Sequence, residues 1–396
     1  MNSSHDEVFF CKRCVISTLR PTSNVEAKHS RNEKKLSTRF DRNGICDACR
    51  WAEIKETEID WKLREAELES LCDKHRSKTG DYDVVVPASG GKDSMYVSHL
   101  LKHKYKMNPL TATWAPHIWT ETGVRNHQNL IKSGFDNILV SPNGDIHRKL
   151  TRLAFENLGH PFQPFIVGQR TVGPKIAQNY GINLIFYGEN VAEYGNRIED
   201  NYIPTMDPVL FTCFDIDDPK TMLGGVSVAE LKARHGIKRS DLLVYKSQSM
   251  QDVKKNDLQV HYMSYYRKWV PQENYYYAMK NTAFEPSPTR TTGSYSKYSG
   301  LDDKLEWLHY YMMYIKFGMG RATADASQEI RTGKITREEG VSLVRKYDGE
   351  FPNQHLDVLL EYSGLTEEQF FAVVDSFRSP QLWEKRDGNW HIKHQV

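Results

Sequence analysis

"YDVVVPASGGKDSMYVSHLLKHKY" occupies residues 82–105. Val84–Val86 is an unbroken apolar run, as a parallel strand covered on both faces requires. Ser89-Gly90-Gly91 then makes a turn in which glycine tolerates unusual dihedrals and lets a ligand approach the backbone. An amphipathic stretch follows Asp93, and the start of a helix offers unpaired N–H groups and a partial positive charge. Strand, glycine turn and helix start make an anion site of the phosphate-binding kind, with Ser89, Lys92 and Ser94 as further donors. The spacing is not that of the Walker loop, which needs four residues between Gly and Gly-Lys, and the dinucleotide Gly-x-Gly-x-x-Gly is absent here.

Working outward, apolar strands alternate with helical stretches from about residue 81 to 250. Strands are expected at Val84–Ala88, Leu110–Trp114, Asn137–Ser141 and Ile182–Tyr187, with helices near 93–104, 122–133, 145–158 and 168–180. Gly134 and Gly181 stand where helix C-caps belong, and Ser227-Val-Ala-Glu230 reads as a capping box. This alternation predicts an α/β fold, a mostly parallel sheet with helices on both faces. Residues 61–80 read as a linker helix. From 251 to 396 no strand series is expected, and Thr336-Arg-Glu-Glu339 and Thr366-Glu-Glu-Gln369 mark helix starts, so this region reads as helical.

Residues 1–60 carry Cys11-x-x-Cys14 and Cys46-x-x-Cys49, four of the six cysteines. Two such knuckles form a tetrahedral S₄ site that suits structural Zn²⁺, and an iron–sulfur cluster is the rival occupant. Cys72 and Cys213 have no partner pattern and read as small apolar fillers. Between Cys11 and Arg50 ten Lys/Arg face four acidic residues (10 − 4 = +6), which reads either as an RNA-facing patch or as a solvated loop.

The whole chain of 396 residues is near neutral, at a formal +2, with 39% hydrophobic and 26% charged residues. That composition fits a globular protein and gives no support to a nucleic-acid partner. No apolar run is long enough to span a membrane and no secretion signal is seen, so a cytoplasmic protein is expected.

Eleven of the 21 tyrosines fall between Tyr262 and Tyr314, as helical core or, for a minority, as stacking surfaces for a sugar or base. In Lys316-Phe-Gly-Met-Gly-Arg321 two glycines interrupt a helical pattern at a cost of about 1 kcal/mol each. Lys316 and Arg321 could neutralise a pyrophosphate or a nucleotide-sugar diphosphate, with Asp325 and Glu329 sharing one helical face beyond them. The stretch reads equally as a helix–helix turn with surface charges.

Ser89-Gly90-Gly91-Lys92-Asp93-Ser94 resembles the signature of the PP-loop ATP pyrophosphatases, whose fold is adenine nucleotide alpha hydrolase-like. The resemblance implies that Ala88 through Ser94 bind the β,γ-pyrophosphate of ATP, with Lys92 and Asp93 in catalysis and Asp93 on Mg²⁺. It places adenine near Thr113 and Trp114. "LIFYGENVAEYGN" (184–196) is similar in placement to the turn that closes such sites, with Gly188 and Glu189 at the nucleotide.

Taken with the cysteine pairs, "ENLGHPFQPFIVGQR" (156–170), "GENVAEYGN" (188–196), "WVPQENYYYAMK" (269–280) and "IKFGMGRATADASQEIR" (315–331) resemble the N-acetyl sugar amidotransferase family. "TTGSYSKY" (291–298) lacks the acidic residue expected before its glycine, so no role is assigned to that turn. This resemblance implies conversion of an acetamido group on a sugar or nucleotide sugar to an acetamidino group. Its requirements would be ATP, Mg²⁺, structural Zn²⁺ and ammonia from a separate glutaminase subunit. Asn190, Glu193, Tyr194 and Asp325 are then the expected substrate contacts, and Lys316 and Arg321 join the catalytic set. The setting implied is surface polysaccharide or flagellin glycan synthesis, and a homo-oligomer stays open. Two other classes remain: a tRNA-modifying PP-loop enzyme of the thiolase or lysidine synthetase type, and a zinc-ribbon interaction subunit without catalysis.

Overall fold

The computed structural model of the chain describes residues 7–23, 25–31 and 35–396, so Glu33 and Lys34 of the basic stretch lie outside the described residues. Its centre is a five-stranded, all-parallel sheet built from β1 (Val84–Pro87), β2 (Pro109–Trp114), β3 (Asp136–Val140) and β4 (Leu184–Tyr187), with β7 (Gln259–Tyr262) as the fifth strand. A short antiparallel hairpin, β5 (Met222–Leu223) and β6 (Val226–Ser227), stands apart from it. The sheet order is β3-β2-β1-β4-β7, so the winding reverses between β1 and β4. In open parallel sheets that reversal leaves a crevice beyond the carboxyl ends of the two strands, where ligands bind.

Alternate residues of β1 and β4 feed different cores. Val85 and Ile185 face a cluster that includes α5 (Gly144–Leu158) and α6 (Gln163–Asn179). Val84, Val86, Leu184 and Phe186 face the other side, with Leu68 and Cys72 of α2 (Trp61–His75) and Tyr96 and Val97 of α3 (Lys92–His99). The residues expected as a linker helix thus pack under the sheet. Their N-cap, Asp60, accepts hydrogen bonds from the backbone N–H of Lys62 and Leu63.

Two departures have physical causes. Helix α6 begins at Gln163, five positions before the expected start, and tolerates Gly168, Gly173 and Pro174 in its interior. The glycines are needed because the sheet backs directly onto this helix: a Cβ on Gly168 would fall 2.1 Å from the Trp114 ring, and one on Gly173 2.8 Å from Pro87. Strand β7 lies beyond residue 250, inside the region expected to be helical. It is an edge strand carrying Gln259 and His261, so no apolar run announces it.

After α4 (Glu121–Lys132), the small helices α7 (Val228–Arg234), α8 (Arg239–Leu242) and α9 (Met250–Lys255) lead to β7. The C-terminal region contains α10 (Met263–Tyr266), α11 (Pro271–Asn281), α12 (Glu306–Phe317), α13 (Arg321–Arg331), α14 (Arg337–Tyr347), α15 (Leu356–Ser363) and α16 (Glu367–Ser376). It closes on a hairpin, β8 (Trp383–Arg386) and β9 (Asn389–Ile392), that was not expected. Of the three expected capping boxes, Thr336/Glu339 and Thr366/Gln369 form in full, and at the third Ser227 caps α7 by accepting from Glu230 N. Near the N-terminus α1 (Asp47–Thr57) follows the second cysteine pair. Among the described residues no helix is long and apolar enough to cross a membrane.

Candidate active site and tetrathiolate centre

Residues 88–94 leave the end of β1 and enter α3 at the strand-order reversal. Ala88 donates its N–H to Ala112 O at 2.8 Å, which anchors the loop to β2. Gly90 adopts φ +93°, and a Cβ there would meet the Asn126 backbone at 2.5 Å, so only glycine fits against α4. Gly91 is the N-cap of α3 without a side-chain cap, which leaves N–H groups of the first turn for a ligand. Ser94 spends its hydroxyl on Gly91 O at 3.0 Å, and Lys92 Nζ pairs with Asp93 Oδ2.

The turn after β4 comes up beside this loop. A Cβ on Gly188 would lie 2.8 Å from the Trp269 ring and 3.8 Å from Asp93 Cβ. Burial, reinforced by the Asp93 charge, pushes the Glu189 carboxyl up to about 7. Two carboxylates that repel each other beside a helix start fit a divalent cation, and Asp93 and Glu189 are the residues that would hold Mg²⁺. Asp93 Oδ1 also accepts from Asn274 Nδ2 at 3.2 Å, and Ser264 N donates to Gly188 O at 2.9 Å. Asn274 and Trp269 both lie in the quoted "WVPQENYYYAMK" stretch, but no local signal assigned them to the loop.

The other predicted residues divide. Asn190 caps the turn Val191–Tyr194 through Ala192 N and donates to Asp200 O at 3.0 Å, so its amide is already engaged. Glu193 accepts from Lys55 Nζ of α1 at 2.5 Å, a buried pair. Glu193 and Tyr194 line a cleft with Lys55, Trp269 and Arg331 of about 20 Å³, which admits a water and not a sugar. Thr113 donates its hydroxyl to Ala88 O, and Trp114 is buried against α6, so neither side chain faces open space. A cavity of about 500 Å³ opens immediately after Trp114, between residues 115–119, the start of α5 and Tyr362 of α15.

In the C-terminal region Gly318, at φ +66°, ends α12, and Gly320 is the N-cap of α13. The glycines therefore form a helix–helix turn. Lys316 Nζ donates to Leu158 O at 2.6 Å, at the C-terminus of α5, and burial pushes its pKa down to about 7. Arg321 bonds Asp325 at 3.1 Å and Tyr310 OH at 2.7 Å, with Glu306 at 3.5 Å. Burial pushes Glu306 up to about 8, Arg321 opposing and Asp302, Asp303 and Asp325 adding to it. Contact with the loop runs through Tyr298, whose ring lies 5.6 Å from Lys92 Nζ and whose hydroxyl donates to Glu329 at 2.9 Å. Within "TTGSYSKY", Gly293 N donates to Glu350 Oε2 at 2.8 Å.

Cys11, Cys14, Cys46 and Cys49 converge and are fully buried. Sγ–Sγ distances of 3.7 Å (Cys14–Cys46) and 3.9 Å (Cys11–Cys49) match the edge of about 3.8 Å that a zinc tetrathiolate with Zn–S near 2.3 Å requires. All four sulfurs lie within 4.8 Å of one another, space for one ion and not for a cluster with its own sulfides. These four residues can bind zinc. Backbone N–H groups of Arg13 and Cys46 point to Cys11 Sγ at 3.4 Å. The C-terminal helices clasp the module: Arg337 donates to the carbonyls of Cys11 and Cys14 at 3.3 Å. Burial opposes the charge on Arg331, but Cys14, Cys49 and Cys46 hold its pKa above the usual arginine range.

No curated protein matches the chain. Residues 292–396 match the family model described as LPS biosynthesis protein WbpG-like, C-terminal domain. That segment contributes Tyr298, whose ring faces Lys92 of the loop, and Arg337, which bonds the carbonyls of Cys11 and Cys14. The match supports a relationship between this chain and the WbpG-like proteins of LPS biosynthesis.

Proposed function

We propose that the chain is an ATP-dependent amidotransferase that converts the acetamido group of an N-acetylated sugar or nucleotide sugar to an acetamidino group, in LPS biosynthesis. The observation that carries this reading is the pairing of the Ser89–Ser94 loop with Gly188-Glu189 across the crevice between β1 and β4. The family match at residues 292–396 supplies the setting.

An amide carbonyl is a poor electrophile with a poor leaving group. Attack of its oxygen on the α-phosphorus of ATP forms an O–P bond, expels pyrophosphate and gives an O-adenylyl imidate. Ammonia then adds at the imidate carbon, the C–O bond breaks with loss of AMP, and a proton leaves the new nitrogen. The chain's share is positioning and charge. Free N–H groups at the start of α3 and Lys92 receive the departing pyrophosphate. Asp93 and Glu189 would hold the Mg²⁺ that offsets its charge. The adenosine seat is the cavity after Trp114 rather than the buried Thr113 and Trp114 side chains. Its volume of about 500 Å³ is in the range of small-ligand pockets. Arg321, with Asp325, stands on the acceptor side, and a separate glutaminase supplies the ammonia.

Mass spectrometry of N-acetylated sugar nucleotides incubated with ATP, Mg²⁺ and ammonium tests the reading. A product lighter by the difference between O and NH, formed with AMP, is expected. Turnover with ammonium but not with glutamine alone is the pattern for a separate glutaminase. Absence of that product from every donor, with AMP released on a tRNA substrate instead, would overturn it.

A further inference from the structure

The spacer between the cysteine pairs brings a second group of ligand-type side chains into the interior. Glu26 opens the short turn Glu26–Lys28, His29 follows it, and His160 stands between α5 and α6. Their candidate ligand atoms all lie within 4.8 Å of one another. His29 Nδ1 is 3.6 Å and His160 Nε2 3.8 Å from Glu26 Oε2, too long for good hydrogen bonds. The side chains are only 4%, 10% and 15% exposed for His29, His160 and Glu26. Glu26 Oε2, His29 Nδ1 and His160 Nδ1 are buried without any hydrogen-bond partner. Buried polar atoms are almost always satisfied, and the facing orphans Glu26 Oε2 and His29 Nδ1, with His160 Nε2 beside them, call for an occupant.

The cluster is also held in place. Gln163, fully buried, donates Nε2 to Glu26 O at 2.9 Å and accepts from Gly224 N at 2.8 Å, which fixes the turn that carries Glu26 and His29. The His160 ring stacks on His309 at 4.8 Å. The His29 and His160 rings are tilted by 56° and do not stack on each other.

We propose that Glu26, His29 and His160 bind a divalent transition metal, zinc in the first instance, separate from the cysteine centre. Two imidazoles and a carboxylate are a zinc ligand set that leaves a fourth position open. Bonds near 2.0–2.1 Å in a tetrahedron place donor atoms about 3.3–3.4 Å apart, so the two histidine–carboxylate spacings need to close by only a few tenths of an ångström. A protonated His29 paired with Glu26 alone leaves His160 unexplained. Lys316 opposes a cation there, but burial already pushes its pKa down to about 7. The ion pins the spacer of the cysteine module to the α5–α6 turn.

The test uses the full chain, free of any histidine tag, with elemental analysis after dialysis against buffered zinc. A second metal ion per chain beyond the cysteine centre is expected. His160→Gln should lose that ion while keeping the first, with an unchanged circular dichroism spectrum. Because a buried substitution can unfold the region, the wild-type protein is also titrated with Co²⁺ while zinc occupies the cysteines. Weak d–d bands without thiolate charge transfer support the site. A single metal unaffected by His160→Gln, or cobalt bands of thiolate type alone, would overturn it.

Discussion

Gly90 and Gly91 are neighbours with different jobs. At Gly90 both the positive φ and the Asn126 backbone 2.5 Å from a Cβ forbid a side chain, whereas a Cβ on Gly91 would meet only Ser89 Oγ at 3.8 Å. Gly90→Ala should therefore cost about 2–3 kcal/mol in urea unfolding, and Gly91→Ala under 1 kcal/mol. Asp93→Asn should fold normally yet lower pyrophosphate release by roughly 10²-fold or more, since it removes a carboxylate that would hold Mg²⁺ against the leaving group. Lys316 gives a pH prediction. Its folded pKa of about 7 lies below the ordinary 10.5, so between these values the unfolded chain binds the extra proton. Stability should climb as pH rises from 7 towards 10, and Lys316→Met should flatten that climb by on the order of a few degrees in Tm.

At the scale of elements, the Lys55–Glu193 pair joins α1 to the turn after β4. Both side chains are buried, so removing either partner should cost about 3–5 kcal/mol, and removing both together far less than the sum. A double-mutant cycle with Lys55→Met and Glu193→Gln measures this; additive losses would show that the two do not interact. Elements with a strong local signal were legible: β1 to β4, α3 to α5 and two of the three capping boxes. Helix α6 was expected only from about residue 168, with Gly168, Gly173 and Pro174 inside it; the stretch 163–167 before it was missed, where Pro164 stands at the helix start and reads as a breaker. The final hairpin carried a readable signal, Asp387-Gly388 at positive φ in a tight turn, that the search for apolar strands passed over.

Across the whole molecule the cysteine module is no appendage. Arg337 reaches its carbonyls, Ile330 packs against its buried cluster, and Lys55 ties it to the crevice. Stripping its metal, or replacing Cys46 with Ser, should shift one cooperative calorimetric transition downward. A separate early transition for residues 1–60 would contradict that coupling.

Sequence alone determined the strand–glycine turn–helix of residues 84–99, the parallel sheet and the two cysteine pairs, because each depends on residues close together in the chain: a strand, a glycine turn and a helix start, or a Cys-x-x-Cys knuckle. Only the tertiary structure decided that Asn274 and Tyr298 attend the loop, that Trp114 is sealed in the core, and that Glu26, His29 and His160 meet. Those contacts join segments far apart in sequence, and their distances are set by how helices pack on the sheet, which no local pattern encodes.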